Sequence, residues 1–227
     1  MEDSIYKDRL YQGDCIKIMK QLPPNCMDFT LTDIPYNVVN RKSNGLRCLD
    51  KGKADVLTFD LREFLTEIHR LSKNSICVFC GKEQFSEIYK YFAEKHGTVR
   101  PICWIKSNPS PMNGRYVYLS GIELGVWFKK SGGKTFNAHC KNSVFRYPNG
   151  KAKLHPTEKN HELLRELILD NTSQGDIVFD PCMGSGAHLL VAQRLGRHYL
   201  GCELNKSFFE LAKLRINDES AVMLKTI

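Results

Sequence analysis

Two apolar runs of this sequence each end in an acid, followed by residues able to shape a pocket. The first is Leu31-Thr32-Asp33-Ile34-Pro35-Tyr36-Asn37. Proline fixes the backbone, so the Asp33 carboxylate and a main-chain carbonyl can converge on one amino group. Tyr36 offers a face to a planar base, a contact worth about 1–3 kcal/mol. An ordinary strand-ending turn uses the same residue types, and D-x-P-Y alone is a weak signal. The second run is Phe179-Asp180-Pro181-Cys182-Met183-Gly184-Ser185-Gly186. Glycines let a backbone approach a ligand closely, and helix-start amides can hold an anionic group. The spacing is neither the G-x-G-x-x-G of dinucleotide sites nor a P-loop. The next apolar run ends at Gly201-Cys202-Glu203, where an acid suits the two hydroxyls of a ribose. Each acid alone reads more readily as a cap or turn residue. Together, in strand–turn–helix–strand context, they favour a nucleoside cofactor.

The elements that must position these residues alternate between strand and helix, as in a largely parallel sheet with helices on both faces. Strands are expected at Arg9–Gln12, Met27–Thr32, Ser75–Cys80, Asp176–Phe179 and Tyr199–Cys202. Helices are expected over Cys15–Leu22, Leu61–Leu71, Gln84–Lys95, Glu162–Asn171, from Ala187 to about Leu195, and from Glu203 to about Ile216. Leu61, Phe64, Leu65, Ile68 and Leu71 fall on one helical face. Val99–Lys106 and Ile122–Lys129 suit an antiparallel hairpin at a sheet edge. Val222–Ile227 fits a last strand or a frayed tail. Residues 131–154 are basic and weakly patterned.

The chain has 227 residues, 42% hydrophobic and 26% charged, enough for one α/β domain over residues 1–227. No stretch approaches the roughly 20 apolar residues that span a bilayer. The N-terminus lacks the layout of a signal peptide, so a cytoplasmic location is expected. The nine cysteines lie mostly in apolar segments, as reduced thiols do. Cys77 and Cys80 form a C-x-x-C, but in a strand they point to opposite faces, and no metal site is expected. The net charge of +8 is concentrated: residues 100–159 hold eleven Lys or Arg against Glu123 and Glu158. Such a segment is either a solvated basic face or a phosphate-contacting surface.

Taken in order, these pieces resemble the amino-methyltransferase family of DNA modification enzymes. Asp33-Ile34-Pro35-Tyr36 resembles its catalytic D-P-P-Y motif, and Phe179–Gly186 its cofactor motif F-D-P-F-x-G-S-G. Cys103-Trp104-Ile105-Lys106 resembles the W-x-K strand, and His155-Pro156-Thr157-Glu158-Lys159 the H-P-T-x-K segment. Arg197–Glu203 is similar to G-R-x-x-x-G-x-E. The match spans about residues 9–216. The catalytic motif comes first, as in the permuted β subclass. Three departures stand out: Ile34 replaces the first motif proline, Ala187-His188 replaces Thr-Thr, and Asn160 replaces a proline.

The resemblance implies a Rossmann-like methyltransferase fold, a mostly parallel seven-stranded sheet with an antiparallel edge hairpin, using S-adenosylmethionine and acting on DNA. Asp33, Ile34, Pro35 and Tyr36 would be catalytic. Asp14, His155, Thr157, Lys159, Asp180, Pro181, Cys182, Gly184, Ser185, Gly186, Glu203 and Leu204 would surround the cofactor, with Glu203 on its ribose. DNA contacts are expected from residues 37–58 and 131–154, with Arg41, Lys42, Arg47, Lys106, Arg115, Lys134, Lys141 and Arg146 as the basic groups. Asp rather than Ser at the motif head favours N6 of adenine over N4 of cytosine. A catalytically silent nucleic-acid-binding regulator on the same fold is the alternative from another class. A homodimer or auxiliary specificity subunit would compensate for the short recognition segments. The implied setting is a nucleoid-associated protein of prokaryotic or phage type.

Overall fold

The computed structural model describes residues 6–36, 56–111, 114–149 and 159–224. The first unit is β1 (Arg9–Gln12), α1 (Cys15–Lys20) and β2 (Met27–Asp33). Asp14 caps α1 by accepting from the amides of Ile16 and Lys17, and Pro23-Pro24 follow its end. α2 (Leu61–Leu71) is capped by Asp60 and buries the five apolar residues of its predicted face. β3 (Ser72–Cys80), α3 (Lys82–Ala93), β4 (Gly97–Lys106) and β5 (Ile122–Lys130) come next. β6 (Val144–Tyr147), α4 (His161–Asn171), β7 (Ile177–Asp180), α5 (Ala187–Arg194), β8 (His198–Glu203) and α6 (Lys206–Leu224) complete the chain.

The strands form one sheet in the order β1-β8-β7-β2-β3-β5-β4-β6. Only β5 runs against its neighbours. α1, α2 and α3 pack on one face, where Met19, Phe64, Leu65, Ile88 and Phe92 join Ile76, Val78 and Phe128 of the sheet. α4 and α5 cover the other face, with Leu163, Leu167, Ala187 and Val191 against Phe29, Leu31 and Phe79. Cys77 and Cys80 fall into these two opposite cores, as strand alternation requires. α6 closes the β8 end.

Four sequence expectations need correction. The sheet has eight strands, not seven, because Val144–Tyr147 pairs in parallel with Cys103–Lys106. The hairpin β4–β5 is therefore not the edge of the sheet. The segment 131–154 contains this strand and is not wholly a loop. Four residues with one buried side chain, Phe145, are too short for a periodic signal. The indole of Trp104 helps fix the strand by donating to the Tyr147 carbonyl at 2.9 Å. Finally, α6 runs to Leu224, so residues 222–224 are helical rather than a strand.

Candidate functional site

Asp33, Asp180 and Glu203 each end a strand: β2, β7 and β8. These three strands are adjacent and parallel, so the three acids line up along one edge of the sheet. From β2 the chain moves outward to β3, and from β7 it moves the other way to β8. The junction is a topological switch point, where open α/β sheets form their ligand crevice. A cavity of about 420 Å³ lies there, with Asp14, Asp33, Tyr36, Lys159, Cys182 and Glu203 among its lining. That size suits a nucleoside-sized ligand.

At the β2 side, four elements bring charge together. Lys159, just before α4, is almost fully buried. Its ammonium contacts Asp33 Oδ2 at 2.5 Å, Glu123 Oε2 at 2.9 Å and the Tyr36 hydroxyl at 2.9 Å. Tyr36 donates to Asp33 Oδ1 at 2.7 Å. Lys106, at the end of β4, contacts Glu123 Oε1 at 2.5 Å. The two carboxylates respond in opposite directions. Burial pushes the Asp33 carboxyl up, outweighing the pull of Lys159, and the charge of Glu123 pushes the same way. Burial also acts against Glu123, but Lys159 and Lys106 together hold it down at about 2. The difference follows from two ammonium partners for Glu123 against one shared partner for Asp33. Burial works against the Lys159 ammonium, yet Asp33 and Glu123 hold it above its ordinary value.

The motif backbone is fixed from β3 and α3. Gln84 donates to the Pro35 carbonyl at 2.8 Å and accepts from the Gly81 amide at 2.8 Å. A Cβ at Gly81 would lie 3.2 Å from the Tyr36 carbonyl oxygen. Ile34 donates its amide to the Phe79 carbonyl at 3.2 Å, a bond that proline, lacking an N–H, could not make. The departure from D-P-P-Y thus ties the motif to its neighbouring strand.

At the β7–β8 side, Asp180 is fully buried and does not face the cavity. Its Oδ1 accepts from the Thr32 hydroxyl at 2.8 Å and the Cys182 amide at 3.0 Å, and its Oδ2 from His188 Nδ1 at 2.5 Å. The residue holds the turn together. His188, one of the departures, lines the cavity and supplies the third partner. His188→Ala should therefore lower the melting temperature by roughly 5 °C or more in a thermal unfolding scan, since a hydrogen bond to a carboxylate is worth about 1.5–3 kcal/mol and its loss leaves Asp180 one partner short. Gly184 and Gly186 have φ of 53° and 80°, a region that favours glycine. A Cβ at Gly186 would also lie 3.0 Å from Ala212 Cβ. Glu203 accepts from the amides of Gly184 at 2.9 Å and Asn205 at 2.7 Å, and burial pushes its carboxyl up.

Of the residues expected at the site, Asp14, Ile34, Pro35, Lys159, Pro181, Cys182, Gly184, Ser185, Glu203 and Leu204 line the cavity with Asp33 and Tyr36. Asp180 and Gly186 stand behind its wall. His155 and Thr157 lie outside the described residues, as do Arg41, Lys42 and Arg47. Lys106 is turned inward onto Glu123, and Lys141 is bound by Glu166 and Asp170 of α4. Lys106, with its side chain 14% exposed, is not presented to solvent as a phosphate contact would be, whereas Lys141 is exposed and already paired with two acids. Arg115, Lys134 and Arg146 are exposed. Sequence reasoning missed Glu123 and Gln84, and it missed the role of Asn160. That residue caps α4 by accepting from Glu162 and Leu163, a function the expected proline could not serve.

The family model for DNA methylases of the N6 and N4 type matches residues 27–214. The chain belongs to this family. Members draw their methyl group from S-adenosylmethionine, and their substrate is DNA. The methylase is 27% identical to the Type II methyltransferase M2.DpnII of Streptococcus pneumoniae, over 93% of this chain and 90% of that one. It is 29% identical to M.HpaI of Haemophilus parainfluenzae, over 93% and 74%. Among solved structures, the M1.HpyAVI complex with S-adenosylmethionine matches with a TM-score of 0.70 and 27% identity, covering 91% of this methylase and 98% of that chain. The cytosine-N4-specific PvuII DNA methyltransferase matches at a TM-score of 0.72 and 16% identity, over 96% and 93%, a likeness of fold. The cavity of the methylase fits the cofactor in size. It also fits in chemistry, with a carboxylate at the second strand end and a glycine-bearing turn beside it. Among the described residues, no helix is long and apolar enough to cross a membrane, and no group of three or more His, Cys, Asp or Glu could hold a metal.

Proposed function

We propose that this methylase transfers a methyl group to the exocyclic N6 of adenine in DNA, taking the target base into the Asp33 end of the cavity. The observation that carries the reading is the Asp33 carboxyl group at the end of β2, largely buried at its side chain and opening onto the same cavity as Glu203. A base inside a duplex cannot reach such a pocket, so it must leave the stack. When bound, S-adenosylmethionine supplies an electrophilic methyl on a positively charged sulfur. Glu203 and the Gly184 turn hold the nucleoside part, and Lys159 lies at the other end of the cavity. Asp33 and the Ile34 carbonyl accept the two amino hydrogens and aim the nitrogen lone pair. Positive charge then grows on nitrogen, and the carboxylate and carbonyl dipole stabilise it. Tyr36 donates its hydroxyl to Asp33 in this structure, and stacks on the base when one enters. Asp at the head of the motif supports adenine.

DNA is held by the exposed basic groups Arg115 and Arg146 at the Asp33 end of the sheet, while Lys134, which bonds Asn74 at the start of β3, lies at the opposite end. Arg115 sits in the connection between β4 and β5, at the Asp33 end of the sheet, beside the exposed Tyr116 and Tyr118. Arg115→Ala should weaken DNA binding across all sequences and reduce the slope of log K against log salt by about 1. The short recognition segments, 37–58 and 131–154, support a short target site or help from a second subunit, either another copy or a specificity partner. The likeness to Type II methyltransferases supports restriction-modification as the setting. Methylome sequencing of a host expressing the chain should find N6-methyladenine in a short motif. Cytosine-N4 marks would contradict the base assignment, and a long, strictly defined site written by the monomer would contradict the recognition proposal.

A further inference from the structure

The Asp33 cluster contains one acid that the family motifs leave without a role. Glu123 enters at the start of β5, the one antiparallel strand, whose first residues therefore lie beside the ends of β3 and β4. It is four-fifths buried at its side chain and bonded by two ammonium groups. A buried carboxylate is costly unless it is paired, and here the pairing leads straight to Asp33 through Lys159.

We propose that Glu123 is a positioning residue for methyl transfer, holding the Lys159 ammonium between two carboxylates so that Asp33 can take up a proton without leaving Lys159 unpaired. The inference rests on the role given above to Asp33. As the N–CH3 bond forms, an N–H bond on the same nitrogen breaks. Its electron pair stays on nitrogen and its proton passes to Asp33, which becomes neutral. The electron pair of the broken C–S bond leaves with sulfur, so charge is conserved. Lys159 would then be a buried cation with no counter-charge, were it not already 2.9 Å from Glu123. Lys106 fixes the far oxygen of Glu123 at 2.5 Å and keeps that carboxylate ionised throughout.

The groups facing Asp33 are Tyr36 from its own loop, Cys80 from β3, Glu123 from β5 and Lys159 from the start of α4, with Lys106 of β4 behind Glu123. Among these, Glu123 raises the proton affinity of Asp33 and Lys159 lowers it. Removing the charge of Glu123 gives Lys159 wholly to Asp33. Asp33 then becomes a weaker proton acceptor, and it stays ionised to lower pH.

The test compares Glu123→Gln and Glu123→Asp with wild type in steady-state methylation of DNA across pH, with thermal unfolding and cofactor calorimetry as controls. Gln keeps the shape and an oxygen for Lys159. For E123Q, kcat should fall about 10- to 100-fold, up to the low end of the roughly 100- to 10,000-fold that a general base contributes, because Asp33 itself is kept. KM for both substrates should stay near wild type, and the acid limb of kcat should move to lower pH. E123D keeps the charge but withdraws it by one methylene, so both its kcat and its limb should lie between wild type and E123Q. If E123Q is too unstable to assay, the displacement of the E123D limb carries the test alone. An acid limb at the wild-type pH in the variants would overturn the proposal, whatever happens to kcat. Failure of the underlying reading is separate: it would appear as normal turnover in an Asp33 variant.

Discussion

Asp33→Ala is expected to lower kcat by about 100- to 1,000-fold, the scale seen when a group that stabilises transition-state charge is removed. Cofactor affinity should be kept, because Asp33 lies at the opposite side of the cavity from the Gly184 turn and Glu203. The fold should also survive. Without Asp33, Lys159 retains Glu123 at 2.9 Å, so the buried ammonium keeps a counter-charge. The measurement is transfer of labelled methyl groups to DNA alongside cofactor calorimetry. Loss of both activities together would place Asp33 in the fold rather than the chemistry. Normal transfer with binding intact would remove it from the mechanism. In the wild type, the raised proton affinity of Asp33 has a further consequence. The carboxylate must be ionised to accept, so turnover should fail on the acid side at a pH above the ordinary Asp range, about 3.9.

Lys159→Met carries the second large effect, and its sign is opposite to that of the Glu123 variants. The substitution leaves Asp33 and Glu123 buried side by side with only Lys106 for company. Breaking a buried ion pair by removing one partner costs about 3–5 kcal/mol. In a domain of this size that is roughly 10 °C or more in Tm. Like charges resist sharing a site, so one carboxyl takes a proton. Glu123 keeps Lys106 at 2.5 Å, so the proton goes to Asp33. Its folded pKa, already raised, rises further. A carboxyl with a raised folded pKa binds more protons folded than unfolded. The destabilisation should therefore be smallest at acid pH and grow as pH rises through that pKa. Turnover should show its acid limb at higher pH than wild type. Parallel melting curves at several pH values, with pH–rate profiles, check both statements. A variant as stable as wild type at every pH would mean that Lys159 does not hold the cluster.

What the sequence made legible was what lies in one stretch of chain. Asp33, Asp180 and Glu203 each follow an apolar run, and that pattern places an acid at a strand end whatever the tertiary fold. Their assembly then follows from strand alternation and the switch point. Lys159 could be placed by the H-P-T-x-K resemblance. Its contact with Asp33 could not, because the two are 126 residues apart in sequence. Glu123 shows the limit more sharply. In the sequence it is a lone acid inside a basic segment, between Ile122 and Leu124, and it reads as the wet face of an edge strand. Only the antiparallel insertion of β5 between β3 and β4 carries it to Asp33. The one available signal was cross-strand: Glu123 lies opposite Trp104 in the ladder, and Lys106 ends the same strand. Lys106 misled in the complementary way. Charge counting treats every Lys as a solvated cation, while the fold turns this one inward onto Glu123. β6 stayed hidden because four residues in a polar segment are too few to show a period.

The claim that this methylase modifies the exocyclic amine of adenine is tested most directly on the product. DNA lacking prior methylation is incubated with the protein and S-adenosylmethionine carrying a labelled methyl group, then digested to nucleosides and separated by mass spectrometry. The account predicts the label in N6-methyldeoxyadenosine, and its absence when Asp33 is alanine. Label in N4-methyldeoxycytidine, in a ring-carbon methylated base, or in no nucleoside would contradict it.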